Sequence, residues 1–229
     1  MRALGHRGAL RLHSRPLSLD LPMSPRVLTF TGLAMLALAW AGPLPGMVPG
    51  SFVAHMSLHM AVVGIGVPVL AAGLAPAVAG HPFMRSQLAL PVAISLLDFV
   101  VVWGWHTPAL HHASRTDPWA LAFEQISFAV VSLAVWVLAL ASTTETRRSA
   151  ALAGALSLFF TSMHMTLLGA LISLAPRSIY GDHLHHGTTM SPVVEQQLGG
   201  VIMLAIGGVI YLLGGLILMA RVLRREPVT

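Results

Sequence analysis

His55 and His59 stand four residues apart in the run His55-Met56-Ser57-Leu58-His59-Met60. On an α-helix that spacing puts both imidazoles on one face, about 6 Å apart along the axis. His164 sits in a second apolar run, as Met163-His164-Met165, and His106 closes a third. Imidazole suits copper, zinc and iron, whereas thioether selects soft Cu(I) over zinc, calcium or magnesium. The chain has 12 His, 12 Met and no Cys, which excludes disulfides, thiolate metal sites and Cys nucleophiles. This pattern suits copper handling on the oxidising side of a membrane. Helix geometry sets a limit, because adjacent residues diverge by about 100° and Met56 cannot closely share the direction of His55. Each group also has a plainer structural role open to it. A His in a membrane span can be a helix-to-helix hydrogen bond, a Met can be apolar filler, and Asp98 or Glu124 can hold a His in place.

The elements that position these residues must be membrane spans. Of 229 residues, 55% are hydrophobic and 9% charged, whereas a soluble domain carries about 25% charged residues. Six apolar segments run roughly over 27–42, 52–75, 87–106, 119–141, 150–175 and 198–220. Most reach the ~20 residues that cross a hydrocarbon core. The sequence therefore predicts an all-α, polytopic transmembrane bundle of about six spans over residues 27–220. Residues 1–26 form a basic N-terminal arm and 221–229 a basic tail. Arg26 ahead of an apolar run also resembles a signal peptide, but Gly42-Pro43-Leu44-Pro45-Gly46 reads as a turn, which favours a retained first span.

Orientation follows from arginine, the only strong cation present. With the N-terminus inside, eleven of the 13 arginines fall on the inner side and only Arg115 and Arg177 on the outer. This predicts both termini in the cytoplasm and makes the net charge of +5 a topological signal rather than a nucleic-acid footprint. The same topology gathers His55, His59, His106, Asp98 and Glu124 toward the outer helix ends and His164 near the midplane. Charged groups in hydrocarbon cost at least ~2.5–3.5 kcal/mol each, so they face the bundle interior and pair. The expected ligands are His55, His59 and His164, with His106 as a fourth ligand or a residue on the way in. Met56, Met60, Met163 and Met165 are softer candidates. Asp98, Glu124, Glu195 and Gln196 form the polar cluster that orients histidines. His111, His112, His183, His185 and His186 fall in outer loops and need no partner. Trp103, Trp105 and Trp119 read as an interfacial aromatic belt. No Walker loop, nucleophile elbow, His-Glu-x-x-His or dinucleotide fingerprint is present, so hydrolysis, phosphoryl transfer and nicotinamide chemistry have no support.

The run 55–60, Trp103-Gly104-Trp105-His106-Thr107-Pro108, Met163-His164 with Leu168-Gly169-Ala170-Leu171, and Glu195-Gln196-Gln197-Leu198-Gly199-Gly200-Val201-Ile202-Met203 occur in the order seen in one family. Together they resemble the CtaG-type cytochrome c oxidase assembly factors, over about residues 50–215. The resemblance implies a multi-pass protein of the bacterial cytoplasmic (inner) membrane that supports copper delivery to a haem-copper oxidase, without being an enzyme. Its implied cofactor is a copper ion, as Cu(I), ahead of zinc or haem. Its implied partners are the oxidase catalytic subunit or other assembly factors and membrane lipid, with a homodimer allowed and no nucleic acid. Members of the family often carry histidines near the start of span four, where this chain has Leu121 and Gln125. They commonly have Asp in place of Glu195, and many have a further span. Two alternatives stay open: a b-type cytochrome with His axial ligands, and a copper or zinc transporter.

Overall fold

The computed structural model describes residues 23–79, 89–141, 148–181 and 189–224. Most of the N-terminal arm, His183, His185, His186 and the end of the basic tail lie outside these residues. All regular structure among the described residues is helical. Five segments are long and apolar enough to cross a membrane: Pro25–Met47, Phe52–Val78, Pro118–Ala141, Leu152–Ser173 and Pro192–Ala220. A sixth is made by two helices bent 71° against each other, Ala89–Trp105 and Pro108–Thr116. The expected all-α bundle is therefore found, with a sharp bend at one end of its third span.

In chain order the helices are α1 (Pro25–Ala41), the single turn α2 (Leu44–Met47), α3 (Phe52–Met60), α4 (Val67–Val78), α5 (Ala89–Trp105) and α6 (Pro108–Thr116). They continue with α7 (Pro118–Ala141), α8 (Arg148–Ser173), α9 (Pro192–Ile202) and α10 (Val209–Arg224). A π segment, Ala61–Gly66, joins α3 to α4, and a second, Met203–Gly208, joins α9 to α10. A π turn disturbs the regular i→i−4 ladder, and here hydroxyls meet carbonyls of the disturbed stretches. Ser162 donates to the Gly208 carbonyl at 2.7 Å, and Tyr211 donates to the Val63 carbonyl at 3.4 Å.

Two segments differ from the sequence expectation. Residues 108–116, expected as outer loop, are helix α6. Pro108 stands at its first position, where a fixed φ helps and the missing N–H is not needed. Helix α9 starts at Pro192 rather than near 198. Ser191 caps it, accepting from the Val194 N–H at 3.4 Å, with Pro192 at the first position and Glu195 in the first turn. Glu195, Gln196 and Gln197 are thus helical residues, and the first two are buried.

Small residues let the spans approach closely. A Cβ on Gly169 of α8 would lie 2.9 Å from the Gly200 carbonyl oxygen of α9, so this crossing excludes any larger side chain. The core beneath the His-rich end is built from Phe52, Met56, Leu58, Met60, Phe128, Met165 and Met203, all buried.

Candidate metal centre

Ser51 starts the site. Its hydroxyl accepts from the Ala54 N–H at 3.1 Å, which caps α3, and donates to Glu195 Oε1 at 2.5 Å. The first turn of α3 is thereby tied to α9. His55 and His59 follow on one face of α3 and point into the bundle, 1% and 0% exposed. The bend after α5 brings α6 back over this face. His111 of α6 stacks on His55, with ring centroids 4.6 Å apart and planes 15° from parallel. His106, at the bend, meets His59 edge-on with centroids 5.4 Å apart. Four imidazoles from α3, the bend and α6 therefore line one buried end of the bundle.

Glu124 of α7 completes the arrangement. Its Oε2 lies 2.8 Å from His55 Nε2, and the Gln125 amide donates to the same oxygen at 3.2 Å. A carboxylate only accepts, so Nε2 of His55 carries the hydrogen and Nδ1 keeps its lone pair. His106 is fixed the opposite way: Nδ1 lies 2.6 Å from the Val102 carbonyl, which leaves Nε2 bare. His55 Nδ1, His106 Nε2, His111 Nε2 and both His59 nitrogens are buried without a hydrogen-bond partner. An unpaired buried polar atom is costly, and a cluster of imidazole lone pairs is the donor set a soft or borderline metal ion takes. His55, His111 and Glu124 each offer one ligand atom, all within 4.8 Å of one another.

The site is closed by aromatic and polar braces. Tyr180 stacks on the Phe52 ring, with centroids 5.0 Å apart, lies 4.2 Å from the His111 ring centroid to centroid, and donates to the His106 carbonyl at 3.1 Å. Burial pushes its hydroxyl pKa up from the ordinary value. Gln196 accepts from the Ile179 N–H at 2.7 Å and donates to the Ile172 carbonyl at 3.2 Å, which fastens the α8–α9 connection. Arg115 donates to the Val48 and Pro49 carbonyls at 3.1 and 3.2 Å, holding α6 against the turn before α3.

The residues expected from sequence divide into groups. His55, His59, His106 and Glu124 come together. His164 pairs instead with Asp98, Nε2 to Oδ2 at 3.1 Å, and its ring contacts are to Phe99 and Phe160. Asp98 lies on α5 seven residues before its last residue, Trp105, so this pair lies about 10 Å deeper along the axis. Met60 and Met165 converge on Gly207, whose added Cβ would lie 3.3 and 3.7 Å from their sulfurs. Met56 packs on Gly199, and Met163 is 61% exposed on the outside of the bundle. Glu195 and Gln196 brace helix ends. His111 was placed by sequence in a loop with no partner, and the structure corrects this: it is 1% exposed and central. The available signal was Thr107-Pro108, a helix start that puts His111 one turn in.

Helices that cross a membrane around a buried polar cluster define a polytopic integral membrane protein. More particularly, the chain belongs to the cytochrome c oxidase caa3 assembly factor family, whose model matches residues 6–225. Its role accordingly lies in assembly of that oxidase. No protein of curated function and no solved structure matches the chain.

Proposed function

We propose that this protein receives copper, as Cu(I), in the imidazole cluster and yields it by ligand exchange to the oxidase catalytic subunit or to another assembly factor. The observation that carries the reading is the set of buried, unpartnered imidazole nitrogens on His55, His59, His106 and His111. His55 and His111 would hold the ion, and Glu124 would orient His55, since a hard carboxylate suits Cu(I) poorly. His59, one turn further along α3, and His106, at the bend after α5, continue the donor set. Asp98 and His164 act as a deeper brace between α5 and α8. The His-rich end faces outward, with both termini cytoplasmic, in a bacterial inner membrane. Transfer of an ion between ligand sets needs no covalent step, so the protein works as a metallochaperone rather than an enzyme.

The packing of the pairs speaks against haem, because rings stacked 4.6 Å apart leave no slot for a porphyrin between them. Transport across the bundle has little support. Between Asp98 and the opposite end, the described interior offers hydroxyl pairs such as Ser95–Ser157 and Ser132–Tyr211 rather than metal-binding carboxylates or imidazoles.

The test is elemental analysis of protein purified under reducing conditions, alongside oxidase activity of the membranes. His55→Ala and His111→Ala should lose most bound copper and reduce oxidase activity. If both variants keep wild-type copper and activity, the cluster is not the copper site.

A further inference from the structure

His55, His59, His106 and His111 are all buried, so neither an ion nor an incoming ligand reaches their nitrogens in this arrangement. Transfer by ligand exchange therefore requires an element over the cluster to move. The α8–α9 connection and α6 both lie there. The first is fastened by Gln196, which bonds the Ile179 N–H and the Ile172 carbonyl. Helix α6 is mounted differently. Thr107 before it and Asp117 after it are extended, and each precedes a proline, Pro108 or Pro118, which keeps it so. The nine residues of α6 thus form a separate rigid unit between two hinges, continuous with neither α5 nor α7.

Polar contacts latch this unit down. Its inner side lays His111 on the His55 ring and carries Arg115 to the Val48 and Pro49 carbonyls. The Glu195 carboxylate, bonded to Ser51 ahead of α3, favours the charged guanidinium. Beside the latch the packing is open. Ser114, Arg115 and Thr116 border a cavity of about 540 Å³ whose far walls include Trp40 of α1 and Leu121 and Ile126 of α7. Interiors are normally close-packed, so space of this size lets α6 shift without displacing α1 or α7. Residues 107–110, 112 and 116 are exposed, which leaves the other side of α6 open as well.

We infer that α6 is the gate of the imidazole cluster, hinged at Thr107 and Asp117 and latched by Arg115. As a gate for copper it rests on the function proposed above. Lifting α6 takes His111 away from His55, which opens a way in and frees one coordination position in the same movement. Closing returns His111 to the donor set, so a bound ion favours the closed state. Arg115 is a positioning residue: it sets how often the gate opens and takes no part in coordination.

The chain has no cysteine, so an introduced thiol is the sole one. In metal-free, full-length protein in detergent, His55→Cys places it under α6, and Leu158→Cys places it in the core of α8, fully buried. N-ethylmaleimide should label the first slowly and leave the second untouched. Adding Arg115→Gln should speed labelling at position 55 about tenfold, as expected for weakened hydrogen bonds from a charged group, with position 158 still protected. In otherwise unaltered protein loaded with Cu(I), Arg115→Gln should speed release to a chelator by a similar factor. No labelling at position 55, a rate unmoved by Arg115→Gln, or equal labelling at position 158 overturns the movable helix whatever the metal content. Faster labelling with unchanged copper release overturns its role as the gate. Faster labelling in a protein that takes up no Cu(I) supports the movable helix and overturns the copper reading instead.

Discussion

His55 of α3 and Glu124 of α7 meet at 2.8 Å, Nε2 to Oε2, with both side chains 1% exposed. Because the carboxylate can only accept, the pair decides which nitrogen of His55 keeps its lone pair, the one a metal would need. Glu124→Gln replaces one acceptor oxygen with a nitrogen that donates, and the tautomer is no longer dictated. Cu(I) affinity, measured by competition with a chromophoric chelator, should fall about 10- to 100-fold, as when the partner of a metal-bound His is lost. ¹⁵N chemical shifts of His55 should show mixed tautomers. A variant with wild-type affinity and an unchanged tautomer would remove this role from Glu124.

His111 and His112 are neighbours in sequence with opposite environments: one is buried on the His55 ring and the other is exposed. His111→Ala should lose copper and also loosen Tyr180 and Phe52, which contact the same ring. His112→Ala should leave copper content and thermal midpoint at wild-type values. Equal losses in both variants would show that proximity to the membrane surface, not the cluster, sets copper content.

The contrast between these two histidines shows how far the sequence could be read. Hydropathy located the spans because an apolar run of span length has few other stable uses. The i, i+4 spacing placed His55 and His59 on one face for equally local reasons. His111 was illegible in this way, because its burial depends on the 71° bend after Trp105, a tertiary event. The partner of His164 was equally non-local. Asp98 and His164 are 66 residues apart, and only the α5–α8 crossing joins them. The two π segments left no periodic signal, since a single widened turn shifts the register without breaking the apolar run.

Tyr180 lies in the connection after α8, and burial raises its pKa above that of an exposed tyrosine. For an acid whose folded pKa is raised, the folded state favours the neutral form. Its stability is fully present below the unfolded pKa of about 10 and declines as pH rises above it. Thermal midpoints in detergent should therefore be flat up to about pH 9.5 and fall beyond it. In Tyr180→Phe part of that alkaline fall should vanish, at the expense of the hydrogen bond to the His106 carbonyl at neutral pH. An identical alkaline profile in the variant would mean that the hydroxyl is not held neutral by burial.

Asp98 and His164 hold α5 to α8 through one charge-capable hydrogen bond, with Thr161 donating to the same carboxylate oxygen at 3.4 Å. His164→Ala strands a fully buried carboxyl group, and breaking one side of such a pair costs about 3–5 kcal/mol. Replacing both residues with Leu removes the unmet polar groups together and should cost less than the sum of the single changes, which a double-mutant cycle in mixed micelles would read as coupling. Copper bound per folded chain separates a brace from a ligand. If His164→Ala loses stability but keeps its copper, the pair is a brace, as its separation from His55 and His111 implies. If copper falls by one equivalent while stability holds, His164 belongs to the metal site after all, and the division of the bundle into a donor cluster at one end and a deeper brace fails.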